Sequence, residues 1–167
     1  MLRPYDQKTA LVELAVSGIA ISNKTRQALQ SPRVGMQTMK NPVEVVAVKD
    51  ETKQQAIPTA WRPVLCQVVS ALKDGDYRLL ARIPGVESPS LMAAEHIRNN
   101  VVAYGATLTD LPEESWDSSV CMWQRTHWDV LVDLWTEEEG RSDLVLSTRV
   151  SEVPQGYAFR IHMVYVP

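Results

Sequence analysis

Three consecutive glutamates, Glu137, Glu138 and Glu139, lie inside the stretch DLWTEEEGRSDLVL, with Asp133 and Asp143 close by. Carboxylates gathered in this way can ligate a hard cation, take part in catalysis, or meet basic groups on a partner. A calcium loop needs oxygen ligands at regular spacing about a central glycine, and this stretch has neither. Asp133, Glu137 and Asp143 are the residues that would have to gather around an ion. Nucleophilic chemistry would fall to Cys121 with His127 across a tight turn, but no oxyanion hole accompanies them. His96, His127 and His162 form no i,i+4 pair of the zinc type. The seven glycines are dispersed among turns and caps rather than gathered around a phosphate. The expectation is a protein without catalytic residues, metal or cofactor.

Composition narrows the classes. The chain has 167 residues, 45% of them hydrophobic, and a formal net charge of −3. That is enough apolar material for a real core. It offers no basic footprint for nucleic acid. The two cysteines, Cys66 and Cys121, are far apart in apolar surroundings and read as buried free thiols, which suits a reducing cytoplasm. The apolar run Ala10 to Ser22 is interrupted by Glu13 and lacks a cleavage site, so it does not read as an export signal. No segment is long enough to span a bilayer. A cytoplasmic protein with no membrane or nucleic-acid partner is expected.

These residues must be positioned by an α+β domain. Asp6 caps a first helix carrying Leu11, Leu14 and Ile19, and a second helical piece runs from Asn23 to Gln30. Val43 to Val48 reads as a short strand. The polar run Lys49 to Gln55 marks a boundary between an N-terminal extension, 1–55, and the main domain, 56–167. Thr59 caps a helix with Trp61, Leu65, Val68 and Leu72 at helical spacing, ended by Gly75. Asp76 to Ile83 reads as a strand. Ser88-Pro89 starts another helix, with Leu91, Ala94, Ile97, Val101 and Tyr104 as its buried stripe. Strands follow at Ser118–Arg125, His127–Trp135, Ser142–Ser151 and Gly156–Pro167. Their short connections predict an antiparallel meander, with helices packed on one face.

Side chains alternate faces along a strand, which sorts core from exterior. Trp128, Val130, Val132 and Leu134 share the core face. So do Leu144, Leu146, Thr148 and Val150, then Tyr157, Phe159, Ile161, Met163 and Tyr165. The outer face carries Asp129, Leu131, Asp133 and Trp135, then Val145, Ser147, Arg149 and Ser151, then Ala158, Arg160, His162 and Val164. Hairpins about Gly140 and Gln155 would put Asp133, Ser147 and Arg160 in one row and Trp135, Val145 and His162 in the next. A solvated outer face accounts for such a pattern. An aromatic on a polar face beside charged residues also has the composition of an interface anchor with a charged rim. The expected partner-binding set is Asp133, Trp135, Glu137, Glu138, Glu139, Arg149, Arg160 and His162.

From IPTAWRPVL to FRIHMVYVP the chain resembles a bacterial domain family of unknown function, through its opening Trp helix, the SVCMW strand, DLWTEEEGRSDLVL and the VYVP ending. The resemblance covers the last two thirds of the chain. Small acidic α+β proteins of this kind are similar to immunity proteins of bacterial toxin systems. That implies a non-enzymatic protein that neutralises a cognate toxin by occluding its active site, the carboxylates meeting basic groups and Trp135 supplying contact area. The alternative is a small-molecule-binding or hydrolytic domain with a pocket between sheet and helices.

Overall fold

A computed structural model describes residues 43–167. The helices expected within the first 42 residues lie outside the described residues. The described residues belong to one compact unit, Pro42–Pro167. Residues 43 to 48 do not form a strand, and Val43, Val46 and Val48 are exposed. Their backbone serves other partners. Val45 N donates to Thr59 Oγ1 and Thr59 N to Val45 O, each at 2.9 Å, and Trp128 Nε1 donates to Val48 O at 3.0 Å. Thr59 therefore anchors this segment rather than capping a helix.

The elements run β1 (Gln55–Ala56), a 3-10 turn (Thr59–Trp61), α1 (Arg62–Lys73), β2 (Val86–Glu87), α2 (Leu91–Tyr104), α3 (Ser115–Ser118), β3 (Val120–Trp123), β4 (Trp128–Thr136), β5 (Gly140–Val153) and β6 (Gly156–Tyr165). The class is α+β. The six-stranded sheet has the order β1-β3-β4-β5-β6-β2 and is mixed, because β2 runs parallel to β6. Only β3 to β6 form the expected antiparallel meander.

The parallel edge arises from residues 76 to 87. Asp76 to Ile83 is a run of turns, not a strand. The Asp76 carboxylate accepts from Leu80 N and Ala81 N, both at 3.0 Å, while its carbonyl accepts from Leu79 N at 3.0 Å. Leu79 and Arg82 adopt left-handed backbone, at φ 51° and 49°. Asp side chains compete in this way for nearby backbone and break extended structure. Leu79 and Ile83 turn inward and are buried. Gly85, at φ 77°, then brings the chain against β6, where Phe159 N donates to Gly85 O at 2.8 Å. A Cβ at Gly85 would stand 3.0 Å from Tyr157 O, so glycine is required both for its backbone angle and for its closeness.

Helix α1 carries proline in its first turn and buries Leu65, Val68, Val69 and Leu72. Helix α2 is capped by Ser90, not Ser88, whose hydroxyl accepts from Ala93 N at 3.2 Å, and Gly105 closes it in the left-handed region at φ 80°. Ala94, Ile97 and Val101 face inward, while Leu91 is exposed. Asn100 Nδ2 donates to Val164 O at 2.7 Å and so covers part of the free edge of β6.

The core lies between these helices and one face of the sheet. Trp128, Val130, Val132 and Leu134 are fully buried. Trp128 meets Trp61 edge-on at 5.3 Å and Trp123 at 4.3 Å, and Trp61 also meets Tyr157 at 5.2 Å. Such edge contacts suit the aromatic quadrupole. The expected alternation holds in β6 only as far as Ile161. Thr148 pairs with Ile161 but Ser147 pairs with Met163, so His162 is an extra residue in a β-bulge. Beyond it Val164 enters the core at 0% exposure and Met163 leaves it at 45%. Tyr165 pairs with outer-face Val145 rather than joining the core. The bulge has reversed the parity that a regular strand predicts for these three residues.

Candidate functional site

Among the described residues, none of the core-forming helical side chains packs on the second face of the sheet. Cross-strand register gives its rows: Met122, Asp129, Arg149 and Arg160; then Val120, Leu131, Ser147 and Met163; then Asp133, Val145 and Tyr165; then Trp135 with Arg141. This differs from the rows expected on regular hairpins. Asp133 faces Val145, Arg160 stands beside Arg149, and Trp135 meets neither Val145 nor His162. The turns set these rows. The β4–β5 hairpin closes with Thr136 opposite Gly140 and slips between Trp135 and Asp133. The β5–β6 turn pairs Val153 with Gly156 and so brings Arg149 to Arg160, and the bulge at His162 displaces only the residues beyond it. Trp135 is six residues along β4 from Asp129, about 20 Å at roughly 3.3 Å per residue. The expected partner-binding set therefore falls into two groups at opposite ends of the face.

The first group is the hairpin tip. Glu137, Glu138 and Glu139 form the loop between Thr136 and Gly140, which pair across it, and Gly140 takes φ 72°. Its Cα position lies under the Trp135 ring, where a Cβ would meet Cζ3 at 3.5 Å. Trp135 is half-buried, and its indole N–H is closed off without a hydrogen-bond partner. The tip is fastened to the loop after α2. Thr109 N donates to Trp135 O at 2.8 Å and Glu137 N to Thr107 O at 2.9 Å. The Glu138 carboxylate accepts from Thr107 N at 2.8 Å and from Thr107 Oγ1 at 2.9 Å. Tyr104 Oη donates to Glu139 at 2.5 Å and accepts from Asp143 N at 3.2 Å. The Thr107 backbone N–H holds the Glu138 carboxyl below the usual range, so it stays ionised. Glu139 likewise raises the Tyr104 phenol above its ordinary value. The loop is thus an ordered acidic tip on the surface.

The second group is built on β4, β5 and β6. Arg160 Nε lies 2.7 Å from Glu87 Oε2, an exposed pair that ties β2 to β6. Asp129 lies 3.3 Å from His127 Nε2 and 3.9 Å from Arg149 Nε, the latter too long for a hydrogen bond. Arg149 Nε and His162 Nε2 are both shut from solvent without a partner. Burial lowers the His162 pKa, and the Arg149 charge lowers it further, so the ring is neutral at neutral pH. A groove of about 320 Å³ opens here, with Arg149, His162, Asp129 and Ser147 among its lining. Val120, Met122 and Leu131 give it apolar surface, and Gln54 and Gln124 add neutral polar groups. Alternation along β4 already places Asp129 on this face. Gln54 comes from a remote segment and carries no signal in the sequence.

Cys121 and His127 do not form a nucleophile pair. Cys121 is buried on the core side with Sγ 3.6 Å from Ala56 O, and burial pushes its thiol up to about 11. His127 engages Thr126 Oγ1 and Asp129 instead. Cys66 is also a free thiol, but it is half-buried rather than buried as expected, and that partial burial raises its pKa. Among the described residues no three His, Cys, Asp or Glu side chains gather where they could hold a metal ion. No helix among them is long and apolar enough to cross a membrane. Another groove, of about 340 Å³, lies between the turns after α1 and helix α2, lined in part by Tyr77, Leu80 and Leu91 and by no strand of the sheet.

Residues 69–167 match the model of a family described as Domain of unknown function (DUF7668). The matched stretch begins within α1 and takes in β2 to β6. No curated protein and no solved structure matches the chain.

Proposed function

We propose that this chain, which belongs to the DUF7668 family, is a non-enzymatic protein-binding domain whose outer sheet face docks a partner, and that the partner is a bacterial toxin occluded at its active site. The observation that supports this most is the character of the face left open by the helices. It carries half-buried Leu131, Trp135, Arg149 and His162 in place of a fully solvated fringe. Aromatic and Arg residues with an apolar centre and charged margin are the composition of an interface.

The acidic tip fits the same role. Glu138 and Glu139 are fixed by Thr107 and Tyr104 yet exposed. Carboxylates ordered beforehand lose less entropy when a basic group docks on them. Their field would steer a basic partner and align it along the sheet.

The test is retention of a host protein by the wild-type chain and by Ser147→Trp, which blocks the middle of the face. A stoichiometric partner lost in Ser147→Trp at unchanged Tm, and whose toxicity in cells only the wild type suppresses, is the expected result. Equal retention by both proteins, or a retained partner whose activity is unaffected, would overturn the proposal.

A further inference from the structure

The bulge at His162 makes a localised site on the open face. A regular strand would send Met163 to the core; here Met163 joins His162 on the outer side, and His162 lines the groove with Arg149. Bulges commonly re-aim a side chain beside a binding site. The neighbouring charges are unevenly matched. Arg160 is satisfied by Glu87 at 2.7 Å, and Asp129 sits nearer to His127 than to Arg149. Among the described residues the Arg149 guanidinium thus has no carboxylate at hydrogen-bond distance through Nε, and His162 Nε2 has no partner. Unpaired buried polar groups are costly and call for an explanation.

We propose that this groove binds a compact organic carboxylate with an apolar body. The exposed outer nitrogens of the Arg149 guanidinium take the carboxylate. Arg149 Nε and His162 Nε2, shut from solvent in the free protein, join as the two side chains turn toward it, and Val120, Met122 and Leu131 pack against the body. A guanidinium fork suits a carboxylate, and an imidazole drawn into its second hydrogen bond becomes a charged donor. About 320 Å³ is at the small end of ligand sites. Asp129, on the same groove, disfavours a second carboxylate and so selects monoacids. The same chemistry is offered by a free small acid or by the C-terminus of a peptide chain.

Binding should take up a proton, because His162 is neutral in the free protein and charged beside the bound anion. The titratable and charged groups around it are Arg149 on β5, Arg160 on β6 with Glu87 on β2, Asp129 on β4, and His127. Affinity therefore rises as pH falls from neutral, and levels off once the ring is protonated in the free protein as well.

The probes are 3-phenylpropionate and its primary amide, and N-acetyl-Leu-Phe with a free or an amidated C-terminus. Each is titrated into the full chain, with the His162 ring followed by NMR and assigned through His162→Gln. The acids should move the ring resonances and raise its titration midpoint, and the amides should do neither. Arg149→Gln and His162→Gln should each weaken binding about tenfold or more. Response to the free acid alone, the peptide alone, or both supports the proposal and says which source the groove accepts. Should Arg149→Gln fail to fold, the acid-induced rise in the His162 midpoint decides by itself. Equal response to acid and amide, or no response to either acid at about 10 mM, would overturn it.

Discussion

Glu138 is exposed, yet both of its oxygens are engaged by Thr107. Its carboxyl is held below the ordinary range, chiefly by the Thr107 N–H. A depressed folded-state pKa contributes stability that is present above the unfolded value, roughly 4.3, and lost as pH falls through the folded value. Thermal melts of wild type and Glu138→Gln should therefore differ at pH 7 and converge at acid pH. A constant gap between them would show that the charge is not what holds the tip. A sharper contrast separates two neighbours on β6. Ile161 is buried and Arg160 exposed. Ile161→Asp should cost more than about 4 kcal/mol, by placing an unpaired charge in the core. Arg160→Ala should leave the urea midpoint nearly unchanged, since only one exposed surface pair is lost. Urea denaturation of both variants checks the face assignment. The composition of the acidic tip was legible in the sequence, but its fastening was not, because Thr107 and Tyr104 lie some thirty residues away with no pattern linking them.

Among the elements, legibility followed regularity. Strand β4 alternates strictly, so its buried and outer residues can be read from the sequence. The end of β6 cannot, because no glycine or proline announces the bulge at His162, and one extra residue exchanges the two faces. The segment after α1 misleads for another reason: its apolar residues look extended, while Asp76 folds them into turns. The short β2 has too few residues to show any period. The two glycines flanking this segment allow a direct test. Gly75 has φ 82° and open space about its Cβ position, whereas Gly85 has φ 77° and Tyr157 O at 3.0 Å. Gly75→Ala should cost about 1–2 kcal/mol, the left-handed penalty alone. Gly85→Ala should cost more, because β2 must also shift from β6. Equal losses in chemical denaturation would show that the close approach of β2 carries no energy.

For the whole described unit, α+β was legible, since patterned helices precede the main run of strands. The division of the outer face was not, because register depends on where the hairpins slip. The layout implies a gradient of local stability. β4 and β5 are paired on both sides along most of their length and hold most of the fully buried strand residues, while β1 and β2 each make only two residue pairs. Amide hydrogen exchange should be slowest in Val130–Leu134 and Leu146–Val150 and fastest in Gln55–Ala56 and Val86–Glu87. Uniform protection would contradict the expected hierarchy.

The two ends of the sheet have one more consequence. Each is closed by a strand of two residues, and Asn100 occupies the Val164 carbonyl on the adjoining stretch of β6. A foreign strand approaching β1 or β2 meets a ladder of only two residues there. Those short edge strands lower the tendency of the sheet to grow by addition of a second chain.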